Sequence, residues 1–430
     1  MRKELSVLMF ALHPDPHGFM GGGFVRTYEV LKRGRKYNVN YYVIEPRKSF
    51  KDVDPEMEYQ VFKLPYSLEF YKTLSNLRLV IDALKIGLQV VRKYDIDLLY
   101  SPVEVNPSSI LPALMYFISK VPWTIMLQFI PVYGVLTAVD KLSKKPISLA
   151  GLYGHLRVER KFPMLPSINA SLYYLALFKV LTKAPLHLTI SRIILNDFKK
   201  LLPSIAKRLY VVWPANGIDY DKFKKLPDVP KDFDAVFVSS YHPKKGIWDV
   251  LDIWRIVIKK YPSAKLAIMG RLAGSPDLAR KMLKILTKKI KHYNLSQNVI
   301  LVGDLINGFS SQRELWINMK RGKILLYPSK IDAWGLLIGE ALACGLPVIT
   351  WDILPFRDAY GRSSSVIFIP LNDKFSFAMK IVELLSNSEK LEILSRDAIN
   401  YIRNYHYTWD QVTVSEREGY IKVLESWGKI

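Results

Sequence analysis

The stretch from Ile324 to Asp352, with Asp332 in a polar loop and Glu340 in the apolar segment after it, is the part of this chain best suited to chemistry. Glu340 is the only charged residue between Ala333 and Thr350, and at helical spacing it shares a face with Leu336, Ala343 and Cys344. Burying such a carboxylate without partners is unfavourable. Either it is hydrogen-bonded internally and ties its helix to a neighbouring strand, or it accepts hydrogen bonds from a ligand's hydroxyls. A different chemistry is offered by Gly21, Gly22 and Gly23, which end the loop HPDPHGFMGGG where a helix from Phe24 to about Lys36 is expected. Glycines there allow close backbone approach, and the open amides of a helix start attract anions. His13 and His17 in the same loop read as turn or surface residues rather than as a base. Lys245 followed by Gly246 in the loop SYHPKKG means little by itself.

The elements that must carry these residues follow from punctuation and periodicity. An apolar run from Ile324 to Tyr327 has strand length and ends at Pro328, and Gly335 opens the apolar segment Leu336 to Cys344. Gly345 and Pro347 stop that helix, and a strand from Val348 to Trp351 follows. Strand, loop, helix, glycine stop and strand make one turn of a parallel α/β sheet. The N-terminal half has the same rhythm. Strands are expected at Leu5 to Leu12, Tyr41 to Ile44, Tyr59 to Leu64, Leu98 to Tyr100 and Trp123 to Gln128, with a helical stretch from Leu74 to Lys93. LHLTISRIILNDFKK reads as a strand turning at Ser191 into a helix. A second series begins with strand Ala235 to Ser239, helix Ile247 to Lys260, strand Ala264 to Met269, a basic helix and strand Val299 to Val302.

At 430 residues the chain exceeds one ordinary core, so two domains of about 200 residues are expected. The boundaries fall at 1–219 for the first, 220–231 for a charged, proline-containing linker, 232–405 for the second and 406–430 for a C-terminal helix. One cysteine, Cys344, rules out an internal disulfide and suits a reducing, cytoplasmic setting. The start of the chain lacks the apolar run and cleavage site of a signal peptide.

Sixty-two Lys and Arg against 39 Asp and Glu leave a net charge of +23. That much positive charge attracts polyanions or an anionic membrane. It is dispersed, and its densest run, Arg280 to His292, has amphipathic helical spacing that points to a solvated face. No recognisable nucleic-acid-binding module is present, so nucleic acid is not expected as a partner. Residues 131–185 interleave Tyr133, Tyr153, Phe162, Tyr173, Tyr174 and Phe178 with Lys141, Lys144, Lys145, Arg157, Arg160 and Lys161. This segment is either a surface for anionic lipid or a lipid-linked substrate, or a helical excursion packed on the sheet.

The stretch ILLYPSKIDAWGLLIGEALACGLPVITWD resembles the signature of the retaining, GT-B-fold glycosyltransferases that include glycogen and sucrose synthases and bacterial phosphatidylinositol mannosyltransferases (glycosyltransferase family 4, "glycosyl transferases group 1"). Asp332 and Glu340 stand at that family's acidic spacing, and Gly335, Ala341, Gly345 and Pro347 fall where it has them. Asn216, Gly217, Ile218, Asp219 and Phe223 are similar to its strand-end motif, and Lys245 with Gly246 to its Lys-Gly. The chain departs from the family at three places. Asp332 replaces the usual Glu, Ser239 and Ser240 stand where a phosphate-binding Arg is usual, and SPVEV and LQFIPVY lack the family's His near the donor sugar. Lys244, His242 or Arg271 are the candidates for a substitute charge.

The resemblance implies two Rossmann-like, doubly wound domains facing a cleft, with the C-terminal helix crossing back to the first and Trp409 at a position commonly aromatic. It further implies transfer of a sugar from a nucleotide-sugar donor, a UDP- or GDP-sugar, to a glycan or lipid-linked acceptor with retention of configuration. In that scheme Glu340 accepts hydrogen bonds from the ribose hydroxyls and Asp332 contacts the transferred sugar. Lys245 and the amides near Gly335 and Leu336 hold the diphosphate, and the loop of Gly21, Gly22 and Gly23 closes on it. Lys245 and helix dipoles can do a cation's work and no Asp-X-Asp element is obvious, so neither a metal nor a cofactor is expected. A non-catalytic sugar-nucleotide or glycan-binding relative of the same fold and a nucleotide-sugar 2-epimerase are the alternatives.

Overall fold

In the computed structural model the described residues are 4–12, 22–52, 54–65, 77–103, 108–128, 179–239, 245–271, 276–306, 308–330 and 332–430. Gly21, His13, His17, Ser240, His242, Lys244 and residues 129–178, which hold most of the basic and aromatic segment, lie outside them. The chain forms two units. One holds the described residues up to Ala215 together with Trp409–Ile430, and the other holds the described residues of Asn216–Thr408.

The first unit is built on strands β1 (Leu5–Phe10), β2 (Val39–Glu45), β3 (Gln60–Lys63), β4 (Leu98–Ser101), β5 (Trp123–Leu127), β6 (His187–Thr189) and β7 (Leu209–Val211). All pair in parallel in the order β3-β2-β1-β4-β5-β6-β7. β1, β4 and β5 are almost wholly buried, as continuous apolar runs in a sheet covered on both faces must be. Helix α1 (Gly22–Arg33) follows β1, so Gly22 and Gly23 form its first turn instead of preceding it. Among the described residues, helices α2 (Leu77–Lys93), α3 (Leu111–Ser119), α4 (Arg192–Leu201) and α5 (Pro203–Ala206) lie in the connections. The Ser191 hydroxyl caps α4 by accepting from the Ile193 amide at 3.1 Å.

A fully buried polar cluster joins α1 to the C-terminal helix, Trp409–Ser426. Arg26 Nη1 lies 2.5 Å from Glu416 Oε2, and Arg26 Nε donates to the Ala215 carbonyl at 2.8 Å. The hydroxyls of Tyr100 and Tyr420 donate to Glu416 Oε1 at 2.8 and 2.7 Å, and the Tyr41 hydroxyl stands 3.2 Å from that of Tyr420. Burial pulls the Arg26 guanidinium downward, but Glu416 together with Tyr100 and Tyr420 outweighs it and holds the group above its ordinary value.

The second unit repeats the plan with β8 (Phe233–Val238), β9 (Leu266–Met269), β10 (Val299–Val302), β11 (Gly322–Tyr327), β12 (Val348–Trp351) and β13 (Val366–Ile369). The order β10-β9-β8-β11-β12-β13 is again parallel throughout. Helices α6 (Tyr220–Lys224), α7 (Ile247–Lys260), α8 (Pro276–His292), α9 (Gln312–Lys320), α10 (Leu336–Ala343), α11 (Leu354–Tyr360), α12 (Lys374–Leu385) and α13 (Ser388–Tyr405) flank it. The segment 220–231 therefore opens with a helical turn, and its Phe223 is buried with its ring centroid 4.3 Å from that of Trp316. On α8, Met282, Leu286 and Ile290 face the core while Lys281, Lys284, Lys288 and Lys291 are exposed.

Both sheets reverse their winding once, between β1 and β4 and between β8 and β11. In such sheets ligands bind beyond the carboxyl ends of the strands at the reversal, where the neighbouring connections diverge to opposite faces. Among the described residues no helix is long and apolar enough to cross a membrane.

The buried cluster yields a stability test. Glu416→Leu strands the Arg26 charge and should cost about 3–5 kcal/mol. Arg26→Met combined with Glu416→Leu removes both charges and should recover most of that loss. Urea denaturation of the two variants measures the difference.

Candidate functional site

The second unit's reversal is where the chain gathers its chemistry. β8 leads into the loop ending at Lys245, and β11 leads into the loop carrying Asp332, so the two strands flanking the reversal each deliver one charged residue. Lys245 Nζ lies 2.5 Å from Asp332 Oδ2, with the two side chains 19% and 14% exposed. The same carboxylate oxygen accepts from the Tyr327 hydroxyl at 2.7 Å, and the lysine ammonium sits 6.0 Å from the Tyr327 ring centroid. Oδ1 accepts from the amides of Trp334 at 3.3 Å and Gly335 at 3.1 Å. Asp332 thus both fixes the lysine and shapes the turn that starts α10.

The electrostatics follow from these contacts. Burial pushes the Asp332 carboxyl upward, but the charge and hydrogen bond of Lys245, with the Tyr327 hydroxyl and the Trp334 amide, hold it below its ordinary value. Burial, and then the Asp332 charge, drive the Tyr327 phenol well above its usual range, so it stays a donor.

Two glycines make this arrangement possible. Gly246 caps α7 at φ 85°, and a Cβ on it would come 2.1 Å from the Pro328 carbonyl oxygen. The Lys-Gly pair is therefore pressed against the end of β11, which brings Lys245 within reach of the Asp332 loop. Gly335 caps α10 at φ 81°, where a Cβ would meet the Phe356 ring at 2.8 Å. Its carbonyl accepts from the Tyr360 hydroxyl at 3.0 Å. With that turn fixed, α10 starts beside the ion pair and its first-turn amides, beginning with Leu336, supply a partial positive charge.

Glu340 lies on α10, in the middle of a helix that is buried from Leu337 onward, and is 8% exposed. The strand-end motif has a packing role on the same helix. A Cβ on Gly339 would meet Ile218 at 3.0 Å, and the Ile218 amide donates to the Tyr407 carbonyl at 2.8 Å. Ser239, at the position where the resembled family has a phosphate-binding arginine, is buried directly after β8. Arg271 follows β9, the next strand in the sheet. In the first unit Gly22 and Gly23 open α1. Among the described residues no group of three His, Cys, Asp or Glu side chains is arranged around a common point as metal ligands would be.

Two contributors escaped the reading of the sequence. Tyr327 was legible as the end of a strand, but its hydroxyl's role depends on the turn that brings Asp332 back over it. Lys330, in the same loop, lies 2.6 Å from Asp249 in the first turn of α7, and Asp249 is also 2.9 Å from Lys374. The pairing anchors the Asp332 loop to the helix that Gly246 starts. No spacing in the sequence announces it.

Residues 219–401 match the family model described as Glycosyl transferases group 1. Among curated proteins the chain is similar to an uncharacterized glycosyltransferase of Methanocaldococcus jannaschii, 28% identical over 147 residues that cover 32% of each chain. The chain spans between 31% and 43% of the length of the first curated relatives it matches. Among solved structures it is similar to sucrose-phosphate synthase from Thermosynechococcus elongatus, at TM-score 0.70 and 15% identity over 98% of this chain and 100% of that one. It is also similar to Anabaena HepE in complex with UDP-glucose, at TM-score 0.66 and 16% identity over 98% and 100%. The chain has the GT-B fold, and the match to the glycosyl transferases group 1 model lies in its second unit.

The glycine at 246 can be tested directly. Gly246→Ala meets both a left-handed backbone and the Pro328 carbonyl, whereas Gly428→Ala meets only the backbone term, with no heavy atom within 4 Å. The first should lose clearly more than the ~1–2 kcal/mol expected of the second. Parallel urea titrations of the two variants make the comparison.

Proposed function

We propose that the protein is a glycosyltransferase that moves a sugar from a nucleotide-sugar donor, a UDP- or GDP-sugar, to a glycan or lipid-linked acceptor with retention of anomeric configuration. The observation that carries this reading is the convergence of Lys245, Asp332 and the start of α10 at the point where the second sheet reverses. A cation and a helix N-terminus at one place suit a diphosphate. The match of residues 219–401 to a glycosyltransferase family, and the likeness to a fold solved with UDP-glucose bound, support the same reading.

The chemistry needs little else. In same-face transfer the bond from the sugar's anomeric carbon to the leaving diphosphate breaks as the bond to the acceptor hydroxyl forms. The acceptor's proton passes to the departing phosphate oxygen, so no side-chain base is assigned. Negative charge grows on the diphosphate as the bond breaks. A preorganised ammonium and oriented amides therefore favour the transition state over the ground state. Asp332 holds Lys245 in place before the donor arrives and then contacts the transferred sugar's hydroxyls. Glu340 accepts hydrogen bonds from the ribose. Lys244, His242 or Arg271 would add the second positive charge that Ser239 does not supply.

A thermal-shift panel of UDP, GDP, ADP and CMP with their common sugars identifies the donor. A ligand at a hundredfold excess over its dissociation constant should add about 2.7 kcal/mol of stability. Glu340→Gln should weaken that binding about tenfold, and Lys245→Ala should lower turnover about 10²–10³-fold with the fold intact. Stabilisation without turnover on any acceptor would identify a non-catalytic binding relative. Turnover of the donor without an acceptor would identify an epimerase. Unchanged kinetics in both variants would remove these residues from the site.

A further inference from the structure

The first unit carries a surface that the donor site does not use. Helix α3 presents Phe117, 57% exposed, and Ile118, 59% exposed, with Leu114 one turn earlier and also exposed. Spacing of three and four residues puts all three on one side of the helix. Leu111, two turns before Ile118 and in line with it, is buried, as is Met115, which meets the neighbouring helix α2 where a Cβ on Gly87 would come 3.1 Å from its sulfur. The exposed residues therefore stand beside a packed seam between two helices.

The border of this apolar face is aromatic and basic. Tyr116 packs against Trp427, just past the C-terminal helix, with ring centroids 4.9 Å apart, and Lys120 places its ammonium 5.6 Å from the Tyr116 ring. Along α2, Arg78, Ile81, Lys85 and Arg92 follow one another at helical spacing, and all are exposed. Lys93 is exposed beside them, and Asp82 offsets part of the charge by standing 3.9 Å from Arg78.

We propose that the α2–α3 face of the first unit is a docking surface for an anionic lipid bilayer, with Leu114, Phe117 and Ile118 entering the headgroup boundary and the flanking cations meeting lipid phosphates. The chemistry of the face selects this occupant. Large apolar side chains ringed by Tyr, Trp and long cationic chains match the layered polarity of a bilayer surface, where the aliphatic stems of Lys and Arg also lie in apolar surroundings. A second copy of this chain is a poorer fit, because the same five cations would be brought opposite themselves on a chain that already carries +23. An anionic leaflet turns that repulsion into attraction. This inference is independent of the donor-site assignment, and it places lipid contact on residues other than the basic and aromatic segment 131–185.

The test is co-sedimentation of the full chain with vesicles of phosphatidylcholine alone and of phosphatidylcholine with roughly a third phosphatidylglycerol. The wild type should partition onto the anionic vesicles at least about tenfold better, and lose most of that preference in about 0.5 M salt. Phe117→Ser with Ile118→Ser should reduce partitioning about tenfold or more, with unchanged circular dichroism, melting temperature and monomer mass. Lys85→Glu with Lys120→Glu should reduce it on anionic vesicles only. Three outcomes overturn the proposal. The wild type does not partition onto anionic vesicles; the serine variant partitions as the wild type does; or the wild type is a dimer that the serine variant converts to monomer.

Discussion

The ion pair between Lys245 and Asp332 is the contact on which the proposed donor site of the second unit rests. Taking an ammonium and a carboxylate partly out of water is costly, and their attraction offsets that cost only if the remaining donors and acceptors are matched. Here they are: the carboxylate takes the ammonium and a phenol on one oxygen and two backbone amides on the other. Each partner has a structural cause. Gly246 admits the lysine loop to the end of β11, Tyr327 ends that strand, and the left-handed turn at Gly335 aims its amide back at the aspartate. Because the pair is still reached by solvent, a stronger anion can compete for the lysine. A site that is satisfied when empty can release its cation to a phosphate at little net cost.

A second ion pair, Arg26 with Glu416, obeys the same physics and serves a different end. It is 1% exposed on both sides, and one oxygen of its carboxylate accepts from two tyrosine hydroxyls. No solute can reach it, so it acts only on the fold: it holds the C-terminal helix to the helix that Gly22 and Gly23 begin. Burial distinguishes a pair that can exchange its partner from one that cannot.

Much of this was legible in the residues. Helix Ile247–Lys260 and strand Val299–Val302 lie where periodicity and punctuation put them, because each is an apolar run with clear stops. Glycine and proline around Leu336–Ala343 located α10 for the same reason. What escaped was tertiary. Whether Phe117 and Ile118 are buried cannot be told from LPALMYFIS, which is apolar all round and reads as a core helix. Lys330 looks like any loop lysine until Asp249 is found beside it. Arg26 and Glu416 are far apart in the chain, and each sits in a helix where a charged residue would ordinarily face water. Glu340 was open to two readings, and the structure shows it buried on α10.

The most direct test of the account is titration calorimetry of the nucleoside diphosphate the protein accepts, on the wild type and on Asp332→Asn. The asparagine keeps an oxygen for the Trp334 and Gly335 amides but removes the charge that holds Lys245. If Asp332 restrains the lysine before the donor binds, the variant should bind the diphosphate at least as tightly as the wild type while turnover of the nucleotide sugar falls about hundredfold. A parallel loss of diphosphate affinity and turnover would contradict the account, because it would mean that the carboxylate is needed to build the anion site rather than to hold its cation.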